Sequence, residues 1–334
     1  MSAIGATAPP LVGPQRILLE ASLAPVQGRR FQPTGFPDLG PATYELADHT
    51  EMLLVESTQS MANRLEEVGW DRPAQTPVAL LDGLPYIRVV DREGGFLTSS
   101  RLEAHRLASA YVRDAQLDGQ GMEDVMRERL GLRKGAPLNN RAVARAVFAL
   151  DPLALLHGVF FAIKSWPAQP KVARTVSSFI EASDVRAVDN GGVKRDDVLH
   201  KVVSGQGADK GYGWVPYHRR EFTAGDIRAY FSVDLAQLRG FGLPEPAEVL
   251  LMTLALWEIR SVLDGPMRLR TACDLEVRSV HVTRPSGFVL PERADLEAEL
   301  AGAARECAPL FGEPSVLVVT WDRSVEETAT AAER

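Results

Sequence analysis

Cysteine is almost missing from this chain: Cys273 and Cys307 are the only two in 334 residues. Two cysteines cannot staple a small domain, and the pattern fits a reducing compartment. No CxxC pair, HExxH segment or phosphate-loop sequence occurs anywhere, so the motif-bearing zinc and nucleotide sites are excluded. Long apolar runs are also missing. The longest, LALLHGVFFAI (153–163) and VLLMTLALW (249–257), are too short to span a bilayer. The start, MSAIGATAPPLVGPQ, lacks the charged and apolar blocks of a signal peptide, so we expect a soluble cytoplasmic protein with no membrane partner. Nor is there an excess of positive charge. Thirty-seven Lys and Arg against 44 Asp and Glu give a net charge of −7, which excludes a broadly basic surface but not a local basic groove.

What is present is an ordinary globular composition, 45% hydrophobic. RILLEASLAPV (16–26) reads as a strand, TEMLLVESTQSMANRLEEVGW (50–70) as a helix, LPYIRVVD (84–91) as a strand and SSRLEAHRLASAYVRD (99–114) as a helix. Two helical patterns fill 121–150. Strands are read at LLHGVFFAIK (155–164), TVSSFIEASDVRAV (175–188), WVPYHRREFT (214–223) and AYFSVDLAQLRG (229–240). A buried helix follows at 245–264 and one or two strands at 267–284. The order gives an α+β class, an RRM-like (ferredoxin-like) βαββαβ core. It carries a helical insertion at about 99–150 and a polar, Gly-rich, thumb-like insertion at about 189–213. We expect one elaborated domain over 16–323, with disordered ends at 1–15 and 324–334.

Several segments carry candidate chemistry. VQGRRFQPTGFP (26–37) joins Gln27, Arg29 and Arg30 to Phe31 and Phe36 on a proline- and glycine-shaped loop, a combination that suits single-stranded nucleic acid or a packed loop. ESTQSMANR (56–64) sets Ser57, Gln59, Ser60, Asn63 and Arg64 into an apolar helix, as a sugar–phosphate contact or a buried hydrogen-bond network. Six histidines are scattered; His157, inside an apolar run, reads as a core histidine. His218 beside Arg219 could serve as a general base, although a histidine in a polar strand more often acts simply as a hydrogen-bond donor. Asp184, Asp189, Asp196 and Asp197 bracket the Gly-rich insertion and could hold Mg²⁺, although Lys194 and Arg195 among them favour a solvated loop.

The segments RFQPTGFPDLGPATYE, LLVESTQSMANRLE, LTSSRLEAHRL, DPLALLHGVFFA, SSFIEA, GYGWVPYHRREFTA, FSVDLAQLRGFGL and LRTACDLE together resemble one CRISPR-associated family. It is the RAMP-superfamily backbone subunit (the "Cas seven" type) of type I-U, now I-G, Cascade effectors. The match runs from about Arg16 to about Pro291. The resemblance implies a hand-shaped RRM-like core with an extended thumb. It implies a non-catalytic protein, without metal or cofactor, that polymerises along CRISPR RNA and presents the spacer to target DNA. The implied partners are further copies of itself, a large subunit, a subunit that caps and processes the guide ends, and a helicase-nuclease recruited by the complex. The RNA-contacting set it suggests is Gln27, Arg29, Arg30, Phe31, Phe36, Ser57, Gln59, Ser60, Asn63, Arg64, Ser99, Ser100, His105, Arg106, Lys164, Arg174, Lys194, His218, Arg219, Arg268 and Arg270. The alternative is a RAMP-superfamily RNA endonuclease using a thumb-side aspartate or His218.

Overall fold

The computed structural model describes residues 13–36, 38–195 and 214–322. Strict alternation builds the first strand, β1 (Arg16–Pro25). Ile17, Leu19, Ala21 and Leu23 are buried while the residues between them face outward, the two-residue period of a half-covered sheet. After β2 (Thr43–Glu45) comes β3 (Glu51–Glu56), where Leu53 and Val55 continue that period. The helical period begins only at α1 (Thr58–Glu67), with Met61 and Leu65 buried four residues apart. Ser57 sits extended at the boundary, and its hydroxyl accepts the Ser60 N–H at 3.3 Å. The helix expected over 50–70 is therefore a strand and a helix joined by a serine cap.

Next come β4 (Tyr86–Val90) and β5 (Phe96–Ser99). The helix expected over 99–114 reduces to a 3₁₀ turn, Arg106–Ala108, and one α turn, Ala110–Arg113. Arg106 takes φ +52°, in the left-handed region that interrupts a right-handed helix. Helices α2 (Met122–Arg129) and α3 (Asn140–Leu150) form as expected, and Asn139 caps the second. The strand expected over 155–164 starts instead as a helix, α4 (Leu153–His157). Asp151 Oδ1 accepts the Leu153 N–H at 3.2 Å, and Gly158, at φ +83°, ends the element.

Then β6 (Val176–Ser183), β7 (Arg186–Arg195), β8 (Trp214–Thr223) and β9 (Asp226–Asp234) follow. β7 and β8 form a two-stranded ladder, from Arg186 against Thr223 out to Arg195 against Trp214, and Phe222 of β8 also bridges to Phe31. The segment expected as one strand over 229–240 turns helical at α5 (Leu235–Gly240), because Asp234 Oδ1 accepts the Gln237 N–H at 2.9 Å. α6 (Glu245–Asp264) is buried almost all round. β10 (Met267–Arg270) and β11 (Cys273–Arg284) divide the last expected strand. Beyond it lie α7 (Arg293–Cys307) and β12 (Val316–Thr320), which the sequence reading did not contain.

The protein is α+β. Its main sheet runs β10-β11-β1-β9-β6-β3-β2, with every pair antiparallel. α1 and α6 pack on one face of it. A second sheet orders Gln120–Gly121, Gln116–Leu117, β12, β4 and β5, and β12 runs parallel to β4. Among the described residues, no helix is long and apolar enough to cross a membrane.

The two loop phenylalanines separate. Phe31 exchanges backbone hydrogen bonds with Phe222, both 2.9 Å, and its ring is 1% exposed in the core; Phe36 is 69% exposed. Phe31→Ala should therefore lower stability by about 3–5 kcal/mol, while Phe36→Ala stays within about 0.5 kcal/mol. Urea denaturation midpoints measure both. Equal effects would place Phe31 outside the core.

Candidate nucleic-acid interface

The capped start of α1 presents Gln59 and Asn63 on one face, four residues apart, where both are exposed. They line a cleft of about 520 Å³ with His105, Arg106, His157, Gly158, Phe160, Lys171 and Arg174. Five residues of the sequence-derived set meet here: Gln59, Asn63, His105, Arg106 and Arg174. Lys171, His157 and Gly158 join them from outside that set. Gly158 could have been suspected, as a glycine inside an apolar run. A Cβ there would sit 3.0 Å from Arg174 Cγ and 3.1 Å from the Val172 carbonyl oxygen. Its absence lets Arg174 lie across the cleft, donating to the Thr58 carbonyl at 3.3 Å. Burial, and then the nearby Arg106 charge, pull the Arg174 pKa below the usual arginine range.

Beneath the cleft lies a buried ionic frame. Arg106 is 7% exposed and grips Glu66 of α1 through two bonds, 2.6 and 2.7 Å. Its third contact is to the Gly158 carbonyl, 3.1 Å. His157 Nε2 lies 2.9 Å from Glu258 of α6. Asp151 accepts from the Ser100 hydroxyl at 2.5 Å and faces Arg101 at 3.8 Å. Burial holds the carboxyls of Asp151 and Glu258 above their ordinary range, Glu258 well above it, and lowers His157 to about 4.

The remaining sequence-derived residues divide. Phe31, Ser99 and Ser100 are buried in the scaffold, and Arg106, although it lines the cleft, is bonded to Glu66 and Gly158. Ser57 is a helix cap, and Ser60 supplies the N–H that it binds. Arg270 is ion-paired to buried Glu56 and donates to the carbonyls of Gln32 and Val55 at 3.0 and 3.1 Å, pinning the 31–34 segment. Arg64 donates to the Leu269 carbonyl and, with Arg268, lines a separate cleft of about 710 Å³. Arg30 pairs with Glu221 at 3.2 Å. Gln27, Arg29, Phe36 and Lys164 are exposed.

On the β7–β8 ladder Lys194 and His218 are exposed, and Arg219 is half-buried near Glu221 at 3.7 Å. A Cβ on Gly191 would meet the Tyr217 carbonyl oxygen at 2.6 Å, so this pairing requires glycine. His218 Nε2 is 3.4 Å from Asp189, which Arg220 also binds at 3.1 Å and holds below the usual carboxylate range. Asp184 lies at a turn with φ +53°. Among the described residues no three His, Cys, Asp or Glu side chains are grouped to hold a metal ion. Asp196 and Asp197 lie outside the described residues.

The opposite, helix-free face of the main sheet differs in charge. Glu20, Tyr230 and Phe179 form one cross-strand row, the two rings stacked 5.1 Å apart. Two arginines there are engaged, Arg228 with Glu20 and Asp226 at 2.8 and 3.1 Å and Arg16 with Asp234 at 2.8 Å, while Arg284, in register with Leu18 on the same face, is exposed. Glu181 accepts from the Tyr44 hydroxyl at 2.7 Å.

A family model described as CRISPR-associated protein GSU0053 matches residues 17–187. No curated protein matches the sequence. Among solved structures, a chain titled "CRISPR RNA-guided surveillance complex, pre-nicking" is 12% identical, with 95% of this chain and 99% of that chain covered and a TM-score of 0.41. "Crystal structure of Thermofilum pendens Csc2" is 10% identical over 96% of this chain and 76% of that one, with a TM-score of 0.30. Scores this low establish no shared fold.

The buried His157–Glu258 pair makes stability depend on pH. Burial favours the neutral form of both partners, so folding draws the proton toward Glu258 and away from His157, which stays neutral down to about pH 4. The unfolded Glu258 carboxyl loses its proton at lower pH than the folded one. Stability should then fall with rising pH, by up to about 1.4 kcal/mol per unit, until Glu258 ionises. Glu258→Gln should remove that alkaline fall in urea midpoints. Equal slopes for the two proteins would mean that the Glu258 carboxyl is already ionised.

Proposed function

The chain belongs to the CRISPR-associated GSU0053 family, and from that premise we propose that it is the guide-binding backbone subunit of a type I-G Cascade complex. In this reading copies polymerise along CRISPR RNA in the cytoplasm and hold the spacer for pairing with target DNA. The large subunit, the end-capping subunit and a recruited helicase-nuclease complete the assembly. The protein itself cuts nothing.

One observation carries the reading: the cleft where Gln59 and Asn63 of α1 meet Lys171 and Arg174 beside Gly158. Amide donors and cations on one concave surface suit a sugar–phosphate strand, and they position it without reading sequence. The exposed Arg29 extends the positive character along the 26–36 loop. The core is read as RRM-like, and the strand order supports this. In chain order the elements β1, α1, β6, β9, α6 and β11 follow a βαββαβ pattern, and their strands lie in the sheet as β11-β1-β9-β6. The β7–β8 ladder is read as the base of a thumb that reaches the next copy. Its exposed Lys194 and half-buried Arg219 are compatible with that.

The guide strand is expected to bind with a steep salt dependence. Lys171→Ala with Arg174→Ala should flatten the log–log slope by about 1.4, two contacts at about 0.7 each for a single strand. The loss should not depend on spacer sequence. Fluorescence anisotropy with labelled guide RNA measures it, and an unchanged slope in the folded variant would remove the cleft from the RNA path. The same complex, given complementary RNA or DNA with Mg²⁺, should leave both intact. Cleavage abolished by His218→Ala would instead install the endonuclease.

A further inference from the structure

The helical region holds a second concentration of positive charge that the guide-binding reading does not use. Residues 127–146 contain six cations and one carboxylate, in a chain whose net charge is −7. Arg127 is paired with Asp124 at 2.7 Å. Arg129, Arg133, Lys134, Arg141 and Arg145 are all exposed and have no ion-pair partner among the described residues. Arg129 at the end of α2 and Arg141 and Arg145 on α3 line one shallow depression of about 380 Å³, with no carboxylate in its wall.

This arrangement costs the folded chain something. Arg141 and Arg145 are four residues apart on one helix face, and like charges so placed repel. Arg141 also stands in the first turn of α3, where the helix dipole disfavours a cation. Yet it is held in place: its Nε donates to the Gly242 carbonyl at 2.8 Å. Gly242, at φ +62°, has no Cβ to crowd it; one would lie 3.3 Å from Arg141 Cδ and Nε. The terminal guanidinium nitrogens are left for another acceptor.

We propose that this face binds the phosphate backbone of a nucleic-acid duplex, separately from the cleft at α1, with which it shares no lining residue. Unpaired cations without carboxylates select a polyanion. A duplex fits better than a single strand because unpaired bases call for aromatic platforms. Between residues 127 and 146 there is no aromatic residue at all, and Leu138 is the one large exposed hydrophobic side chain. In a guide-bearing assembly, the duplex flanking the paired target is the natural ligand.

The test uses the full chain without guide, so that it does not depend on the cleft. A labelled random-sequence DNA duplex is titrated by anisotropy between about 50 and 200 mM salt. Arg141→Glu with Arg145→Glu should weaken duplex binding at least about tenfold and flatten the log–log slope by about 1.8, two contacts at about 0.9 each. Arg133→Ala with Lys134→Ala, in the loop and outside both helices, should give the same flattening without risk to α3. Guide RNA binding should be unchanged in both. Duplex affinity that survives both variants overturns the proposal. So does a loss confined to single-stranded probes, which would make the occupant a single strand.

Discussion

The Glu66–Arg106 pair holds the rest of the arrangement together. It joins the helix that carries Gln59 and Asn63 to the turn after α4, where Gly158 makes room for Arg174. Ion pairs buried this deeply add little net stability compared with an apolar filling, but removing one partner strands a charge and costs about 3–5 kcal/mol. Their value is geometric. Arg106 has one way to satisfy its three contacts, and meeting them fixes the separation of the two cleft walls. His157–Glu258 and Ser100–Asp151–Arg101 extend the frame into α6 and β4. Buried polar contacts of this kind stiffen the floor of the cleft.

The same frame explains why sequence reading succeeded in some places and failed in others. The alternation in β1, the all-round apolar character of α6 and the periodicity of α2 and α3 are local signals, and each element formed where it was read. The misreadings fall at Ser57, Arg106, Asp151 and Asp234. At each of these a side chain bonds the backbone or a distant partner and changes the local structure. Nothing in the spacing of SSRLEAHRLASAYVRD reveals that Arg106 turns left-handed to reach Glu66, 40 residues away. β12 was missed because its partner, β4, lies over 200 residues earlier in the chain.

Among the candidate site residues, composition exposed the polar face of α1 but not which of its residues point outward. Ser57 and Ser60 turned to capping, and Gln59 and Asn63 remained free. Arginines proved hard to assign from sequence. Arg106 and Arg270 are internal braces, Arg30 is tied to Glu221, and Arg174 keeps a free face only because Gly158 lacks a Cβ. The cations of 127–146 stand outside the RNA-contacting set read from the sequence. Their isolation from carboxylates becomes visible only in three dimensions.

In the proposed reading a guide strand follows the α1 cleft and not the open face of the main sheet. Photo-crosslinking with 4-thiouridine-labelled guide RNA, followed by peptide mapping, tests this most directly. The account expects cross-linked peptides from α1 and from residues 158–174. Cross-links confined to β1, β6 and β9, around Phe179 and Tyr230, would contradict it.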